Sequence, residues 1–462
     1  MKNKYQTLAG NTMKLGIGTF GSKLLVFLMV RFYTEYLSPA DYGTADLITQ
    51  TANLLIPLVS LGITDAVFRF AMDETENADC VFTAGLRIIT AGSLILAVLA
   101  YLLTANGLAD TAWLIAAFMI ASNFHSLCAQ FIRARGEMTL FAVQGLMNTV
   151  LVIALNILFL AVFRFGVTGY VMSTAAADTI TTVYLVIRAR LWKSVTGSHA
   201  EGLLTRMLRY CVPLIPTAVF WWITSVSDRY MITAWIGKSA NGFYAVSSKL
   251  PTILTVLSTI FMDAWLFSAV TERRSGDEAH MLFYGSVWKT FLAGMVLSAA
   301  GVIAFSQPAM LLLADEEFFD AWLYVPVLCL AMVFSAFSTF LSSVYVVSKK
   351  SSLSFWTAML GAASNVILNL LLIPRIGIMG AAIATFVSYV LVFLVRAISI
   401  KKLFPFPLAL PTVIIDILIL AVQAAAITLQ VHGWIPIQAA CITALLIFNA
   451  KPLLLAIKKL FG

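Results

Sequence analysis

Apolar residues along this chain gather into about fourteen stretches of roughly 20 residues, parted by short polar gaps. A helix of that length reaches across the hydrocarbon core of a bilayer, so each stretch predicts one membrane-spanning helix. The predicted spans are 10–33, 44–68, 82–104, 111–132, 140–163, 167–190, 208–233, 243–268, 284–306, 321–346, 353–373, 377–400, 408–430 and 435–458. Several also carry polar residues every third or fourth position, which places those groups on one helix face. Span 2 has Asp46, Gln50, Asn53, Pro57, Ser60 and Thr64. Span 4 has Ser122, Ser126, Gln130 and Arg133; span 6 has Thr174, Asp178, Thr181 and Arg188; span 8 has Lys249, Thr252, Thr259 and Asp263. A polar stripe at membrane depth must face protein or water, either a cavity or a hydrogen-bonded helix contact.

Composition agrees with the pattern. Hydrophobic residues make up 61% of the chain and charged residues 11%. A water-soluble fold of this length could not cover that much apolar surface. The longest polar gaps, about 192–207 and 271–283, are too short for a nucleotide-binding or catalytic domain, and no G-x-x-x-x-G-K-[ST] phosphate loop occurs. An ion gradient or the membrane potential is the expected energy source, and no cofactor is expected beyond a coupling Na⁺ or H⁺. The five cysteines stand singly and show no metal spacing. Gly16-Ile17-Gly18-Thr19-Phe20-Gly21 spells a dinucleotide fingerprint but lies in an apolar helix without a βαβ unit, so it reads as close helix packing.

The net charge of +8 is distributed by gap. With the N-terminus in the cytoplasm, the even-numbered gaps hold Arg133 and Arg135, then Arg188 to Arg209, Arg273 and Arg274, Lys349 and Lys350, and Arg396 with Lys401 and Lys402. The odd-numbered gaps hold Arg164, Lys238 and Arg375 and the acidic run Asp315 to Asp320. This bias predicts a multi-pass protein of the cytoplasmic membrane with both termini cytoplasmic, and accounts for the basic charge without nucleic acid. The gap after span 2 departs from the bias, because Arg69 and Arg87 sit there beside Asp73, Glu74, Glu76 and Asp79. The first span lacks a small-residue cleavage site and reads as a retained helix.

An internal repeat divides the chain. The junction of spans 5 and 6 reads Arg164-Phe165-Gly166-Val167-Thr168-Gly169, and that of spans 11 and 12 reads Arg375-Ile376-Gly377-Ile378-Met379-Gly380. Pro39-Ala40-Asp41 after span 1 is echoed by Ser239-Ala240-Asn241 after span 7. Six helices part the members of each pair, so the halves share one orientation, as in transporters with a parallel repeat. The expected architecture is an all-α polytopic membrane protein of about fourteen helices: lobes at 1–190 and 208–402, and two further helices at 408–462.

Charges inside spans are costly and point to function. Lys23 lies mid-span, and Arg31, Asp46, Asp228, Arg229 and Lys249 lie in the outer portions of spans 1, 2, 7 and 8. Lys and Arg in a partly desolvated cavity suit a phosphate or diphosphate, Arg as a bidentate fork and Lys as a point charge. Snorkelling to headgroups is the alternative for Arg31 and Arg229. Asp178 and Asp263 are candidate ion-coupling carboxylates, with Asp416 a weaker one; His125 reads as a lone hydrogen-bonding packer that could also titrate.

The chain resembles the polysaccharide-flippase branch of the multidrug/oligosaccharidyl-lipid/polysaccharide exporter superfamily. The residues that carry this are Arg31 to Gly43, Leu61-Gly62 to Arg69-Phe70, Arg209-Tyr210 with Pro213 to Pro216, Ser227-Asp228-Arg229-Tyr230, Gly242-Phe243-Tyr244 to Lys249-Leu250, and Asn369 to Pro374 with Gly377 and Gly380. The resemblance implies a carrier that moves a polyprenyl-diphosphate-linked glycan between leaflets by alternating access of two six-helix lobes. Fourteen helices are similar to the lipid II flippase relatives, in which the last two helps form a lipid-tail groove; Asp416 and Gln423 on span 13 have no place in that picture. A cation antiporter of the same superfamily would need an acidic, aromatic cavity. A polytopic glycan polymerase or ligase would need a long catalytic outer loop, and a channel or scaffold would leave the repeat and the buried cations without purpose.

Overall fold

The computed structural model describes residues 27–73, 75–107, 111–195, 202–271, 277–347 and 351–461. Every regular element among them is helical. A helical stretch over residues 27–36 (α1) leads to α2 (Pro39–Val59), α3 (Ile63–Ala71), α4 (Ala78–Ala105) and α5 (Ala112–Ala134). Next come α6 (Met138–Asn156), which ends in a π-turn at Ile157–Val162, α7 (Gly166–Arg188), α8 (Leu203–Cys211) and α9 (Ile215–Trp235). Then follow α10 (Lys238–Ser247), α11 (Lys249–Thr271), α12 (Asp277–Ala304), α13 (Ser306–Leu313), α14 (Val325–Val347), α15 (Ser351–Leu403), α16 (Leu410–Thr428) and α17 (Trp434–Phe461).

Among the described residues, 11 helices are long and apolar enough to cross a membrane, or 13 if each of two bent pairs counts as one span. These 13 fall on predicted spans 2 to 14. The predicted first span and its glycine run lie mostly outside the described residues, and so does Lys23. The bent pairs are α2 with α3, turning by 56°, and α10 with α11, turning by 42°. Pro57 precedes the first break, where its ring and missing N–H weaken the helical ladder; the second follows Ser248. Large apolar side chains such as Ile95, Leu312 and Ile447 are exposed, as lipid-facing positions must be.

The chain forms two compact units, Met1–Val219 and Phe220–Gly462. The first has a core where α3, α4, α5, α7 and α8 converge, built on Val67, Val81, Leu127, Phe131, Leu185 and Met207. Beside it, Arg206 of α8 pairs with Glu76 at 2.6 Å, and Arg69 lies 4.0 Å from Asp73. These contacts explain the acidic exception in charge bias: the carboxylates after span 2 meet basic residues of α3 and α8. Thr75 donates to Asp73 through its hydroxyl and its N–H, which together hold that loop carboxyl below its usual value. The second unit has an aromatic core. Trp288 of α12 is fully buried, within 5.1–6.3 Å of the Phe337, Phe340 and Phe393 rings, and donates from Nε1 to the Leu408 carbonyl at 2.8 Å.

The two R-x-G-x-x-G junctions take the same local form. In each, the first glycine has positive φ, +54° at Gly166 and +63° at Gly377, which lets the chain reverse between helices. In each, the second glycine receives the preceding helix. A Cβ at Gly169 would lie 3.1 Å from the Phe159 carbonyl oxygen, and one at Gly380 only 2.6 Å from the Leu372 carbonyl carbon and oxygen. Gly377 and Ile376 break α15 into arms at Ser352–Ile376 and Ile378–Leu403. Gly380→Ala forces backbone apart and is expected to cost about 1–3 kcal/mol, the usual range for overpacking. Thermal unfolding of the purified variant checks this; an unchanged midpoint would refute the close approach.

Candidate functional site

Each unit holds a buried polar cluster. In the second unit, Asp228 sits on α9 at 1% exposure. Its Oδ1 accepts the Arg229 backbone N–H at 2.9 Å. Its Oδ2 accepts the Tyr244 hydroxyl of α10 and the Thr385 hydroxyl of the second α15 arm, the latter at 3.3 Å. The network extends through Asn365, which donates to Thr385 at 3.2 Å and accepts from Ser227 at 3.0 Å and Asn369 at 2.9 Å. Buried polar groups at this depth need partners, and here α9, α10 and both arms of α15 supply them for the Asp228 and Asn365 side chains.

Arg229 is buried, not snorkelling. Its guanidinium lies 5.7 Å from the Tyr244 ring centroid and donates to Ser248 Oγ at 3.2 Å. Ser248 is the bend between α10 and α11, and the half-buried Lys249 opens α11 directly after it. The structure therefore groups Asp228, Arg229 and the Lys249 bend within one unit. Arg31 and Asp46 belong to the other: Arg31 is exposed on α1, and Asp46 is buried on α2. Asp263 lies on α11, where its side chain falls outside the described residues. A cavity of about 270 Å³ between α11 and α14 is lined by Thr255, Ser258, Thr259, Ser335 and Thr339 together with Met262, Met332 and Ala336.

In the first unit, Asp178 of α7 joins three helices. Its Oδ2 accepts the Ser122 hydroxyl at 2.5 Å and its Oδ1 the Asn148 amide at 2.7 Å. His125 is not the lone histidine that the sequence suggests. Its Nδ1 lies 3.2 Å from Asp178 Oδ1 and its Nε2 2.7 Å from Gln144 Oε1. Asp416 and Gln423 also find roles as ties within the second unit. Asn449 of α17 donates to Asp416 at 3.0 Å, and Gln423 donates to the Ala300 carbonyl of α12 at 2.9 Å.

Arg396 is the residue that charge counting misplaced. It reads as a loop cation, yet it is 1% exposed. It donates to the Ser338 carbonyl at 2.6 Å and, from Nε and Nη2, to Thr357 Oγ1 at 3.1 and 3.0 Å; its guanidinium lies 6.0 Å from the Trp221 ring centroid. Among the described residues its partners are neutral.

A multi-pass helical protein with charged and polar clusters at membrane depth is built as a transporter is. The comparisons with known proteins agree. The family model for polysaccharide biosynthesis proteins matches residues 8–267, more than half of the chain, and the chain belongs to that family. A succinoglycan biosynthesis transport protein of Rhizobium meliloti is 24% identical over 360 residues, covering 75% of this chain and 70% of that protein. An uncharacterized membrane protein of Methanocaldococcus jannaschii is 21% identical over 211 residues, covering 46% of this chain and 49% of its own length. Among solved structures, a lipid II flippase in an inward closed conformation superposes with a TM-score of 0.70 at 15% identity, covering 97% of this chain and 99% of that one. An inward-facing multidrug resistance transporter of the MATE family and MOP superfamily gives 0.58 at 14% identity, covering 82% and 95%. At such identities the superpositions establish the fold, which this chain shares with both structures.

Proposed function

We propose that this protein carries a polyprenyl-diphosphate-linked oligosaccharide from the inner to the outer leaflet by alternating access, for the biosynthesis of a cell-surface polysaccharide. The observation that carries the reading is Arg229, a buried guanidinium beside the Lys249 bend, in a chain of the polysaccharide biosynthesis family. A diphosphate brought to membrane depth meets a large desolvation cost, and fixed cations offset it. Lys23, Arg31, Arg229 and Lys249 are the proposed contacts with the diphosphate, with Asp46 and Asp228 holding the cations in place. The cavity beside α11, lined by hydroxyl-bearing and apolar residues alike, suits a sugar, which presents hydroxyl edges and apolar C–H faces. The prenyl chain stays in lipid. The relatives' names support this reading, since one is a succinoglycan transport protein and another a lipid II flippase. The drive is the membrane potential or a coupled Na⁺ or H⁺ at Asp178 or Asp263. Both termini are cytoplasmic in this scheme, and the chemistry is transport and not catalysis.

Leaflet exchange in proteoliposomes tests it, with a fluorescent polyprenyl-diphosphate oligosaccharide loaded on one side. Protein-dependent exchange is expected, and Lys23→Gln is expected to abolish it while leaving folded protein in the membrane. Movement of organic cations against an ion gradient, with no glycolipid exchange, would overturn the reading in favour of an antiporter.

A further inference from the structure

We propose that the cavity between the ends of α6 and α7 binds the headgroup of an anionic phospholipid, whatever cargo the protein carries. The cavity measures about 470 Å³ and is lined by the turn at 136–139, by Leu140 and Val143 of α6, and by Tyr184 and Arg188 of α7. α5 ends at Ala134, α6 begins at Met138 and α7 ends at Arg188, and all three belong to candidate membrane spans. The cavity therefore lies where three spans leave the hydrocarbon, at the depth of lipid headgroups.

The lining suits a phosphate. Among the described residues Arg188 makes no ion pair and no hydrogen bond, so its guanidinium is available to fork onto two phosphate oxygens. No side chain caps the start of α6, which leaves the first helical N–H groups and the positive end of the helix dipole beside the cavity. Thr139 and Tyr184, two further residues of the lining, each carry a hydroxyl that can donate. The only carboxylate among the lining residues is Glu137, and it already lies 3.3 Å from Arg135 Nε, so that pair adds no net charge. Arg133 before the turn and Arg190 and Lys193 after α7 make the surroundings more positive still.

What continues from the cavity along the helices selects a lipid over a free anion. α6 and α7 pack against each other. On α6, Val143, Leu146 and Val150 are exposed; on α7, Ile180, Val183 and Ile187 are exposed. Spacing by three and four residues puts each set on one helix face. Ile180, Tyr184 and Arg188 follow one another at intervals of four, so the α7 stripe leads to the residues that line the cavity. Two apolar stripes thus run from a basic cavity into the hydrocarbon. A phosphate held in the cavity would lay its acyl chains along them, and a free phosphate would use neither. A basic pocket between spanning helices is a form in which anionic lipid headgroups are recognised.

The test uses the full chain in phosphatidylcholine vesicles that hold a trace of phosphatidylglycerol with a diazirine at the top of one acyl chain. After illumination and proteolysis, mass spectrometry reads the labelled peptides. Labelling is expected on α6 around Val143 and on α7 around Ile187, and well above that from phosphatidylcholine carrying the same diazirine. Arg188→Gln should lower it about fivefold, the worth of one cation at a membrane surface. Arg190→Gln, two residues on and outside the cavity lining, should leave it unchanged. Equal labelling by the two probes, or labelling that survives Arg188→Gln, overturns the site. An equal fall in Arg190→Gln also overturns it, in favour of general attraction to a basic surface. Loss of labelling in excess inorganic phosphate overturns the lipid as occupant and assigns the cavity to a free anion.

Discussion

Asp228→Ala is expected to destabilise the protein by about 3 kcal/mol or more and to abolish transport. The carboxylate is fully buried and accepts from the Arg229 N–H, the Tyr244 hydroxyl and the Thr385 hydroxyl. Alanine leaves the Tyr244 and Thr385 hydroxyls without this acceptor, and each buried unsatisfied group costs about 1–3 kcal/mol. It also removes the negative charge beside the Arg229 guanidinium, and an uncompensated buried charge adds to the loss. Asp228→Asn keeps the shape and one carbonyl oxygen. Because hydroxyls can rotate to accept, it should lose only a part of that stability. Denaturant unfolding in detergent ranks the two; equal and small effects would mean that the network is not holding α9 to α10 and α15.

Trp288→Ala is the second large effect, at about 3–5 kcal/mol. Trp288 is fully buried among Phe337, Phe340 and Phe393, and its indole donates to the Leu408 carbonyl between α15 and α16. Alanine leaves a cavity that rigid aromatic neighbours on α14 and α15 cannot collapse to fill, and it orphans a buried carbonyl. Trp288→Phe should recover most of the packing and not the hydrogen bond, so the difference between the two variants reads the bond alone. A midpoint unchanged in Trp288→Ala would contradict this account of the second unit's core.

The fold was legible because a bilayer imposes its thickness on the sequence. Predicted span 111–132 became Ala112–Ala134 and 408–430 became Leu410–Thr428. What hydropathy cannot carry is direction. It runs unbroken through the bends after Pro57 and at Ser248, since a kinked helix buries the same apolar residues as a straight one. At the candidate site, the charged residues announced themselves by their cost in lipid, but their partners did not. His125 and Asp178 lie on different helices, and nothing in one sequence says that these helices meet. Thr385 and Asn365 are small neutral groups of a kind common in any bundle, so their contacts around Asp228 left no mark on the pattern. Arg396 was assigned to a loop because charge counting follows position along the chain, and a guanidinium at a helix end can turn inward as readily as outward.

Arg396 has a consequence for how the chain is made. A guanidinium entering the membrane among lipid tails is a poor passenger, and an isolated helix carrying it would be slow to leave the insertion machinery. Its acceptors, Ser338 and Thr357, and the face of Trp221 all precede it in the sequence. They have therefore left the ribosome before Arg396 does, and nothing C-terminal is needed to shelter the charge. Biogenesis of the second unit thus has a built-in order: α9, α14 and the first arm of α15 must be seated before the second arm can settle. A chain that inserts these helices out of turn would expose an unsheltered arginine to lipid, a defect that membrane quality control can recognise.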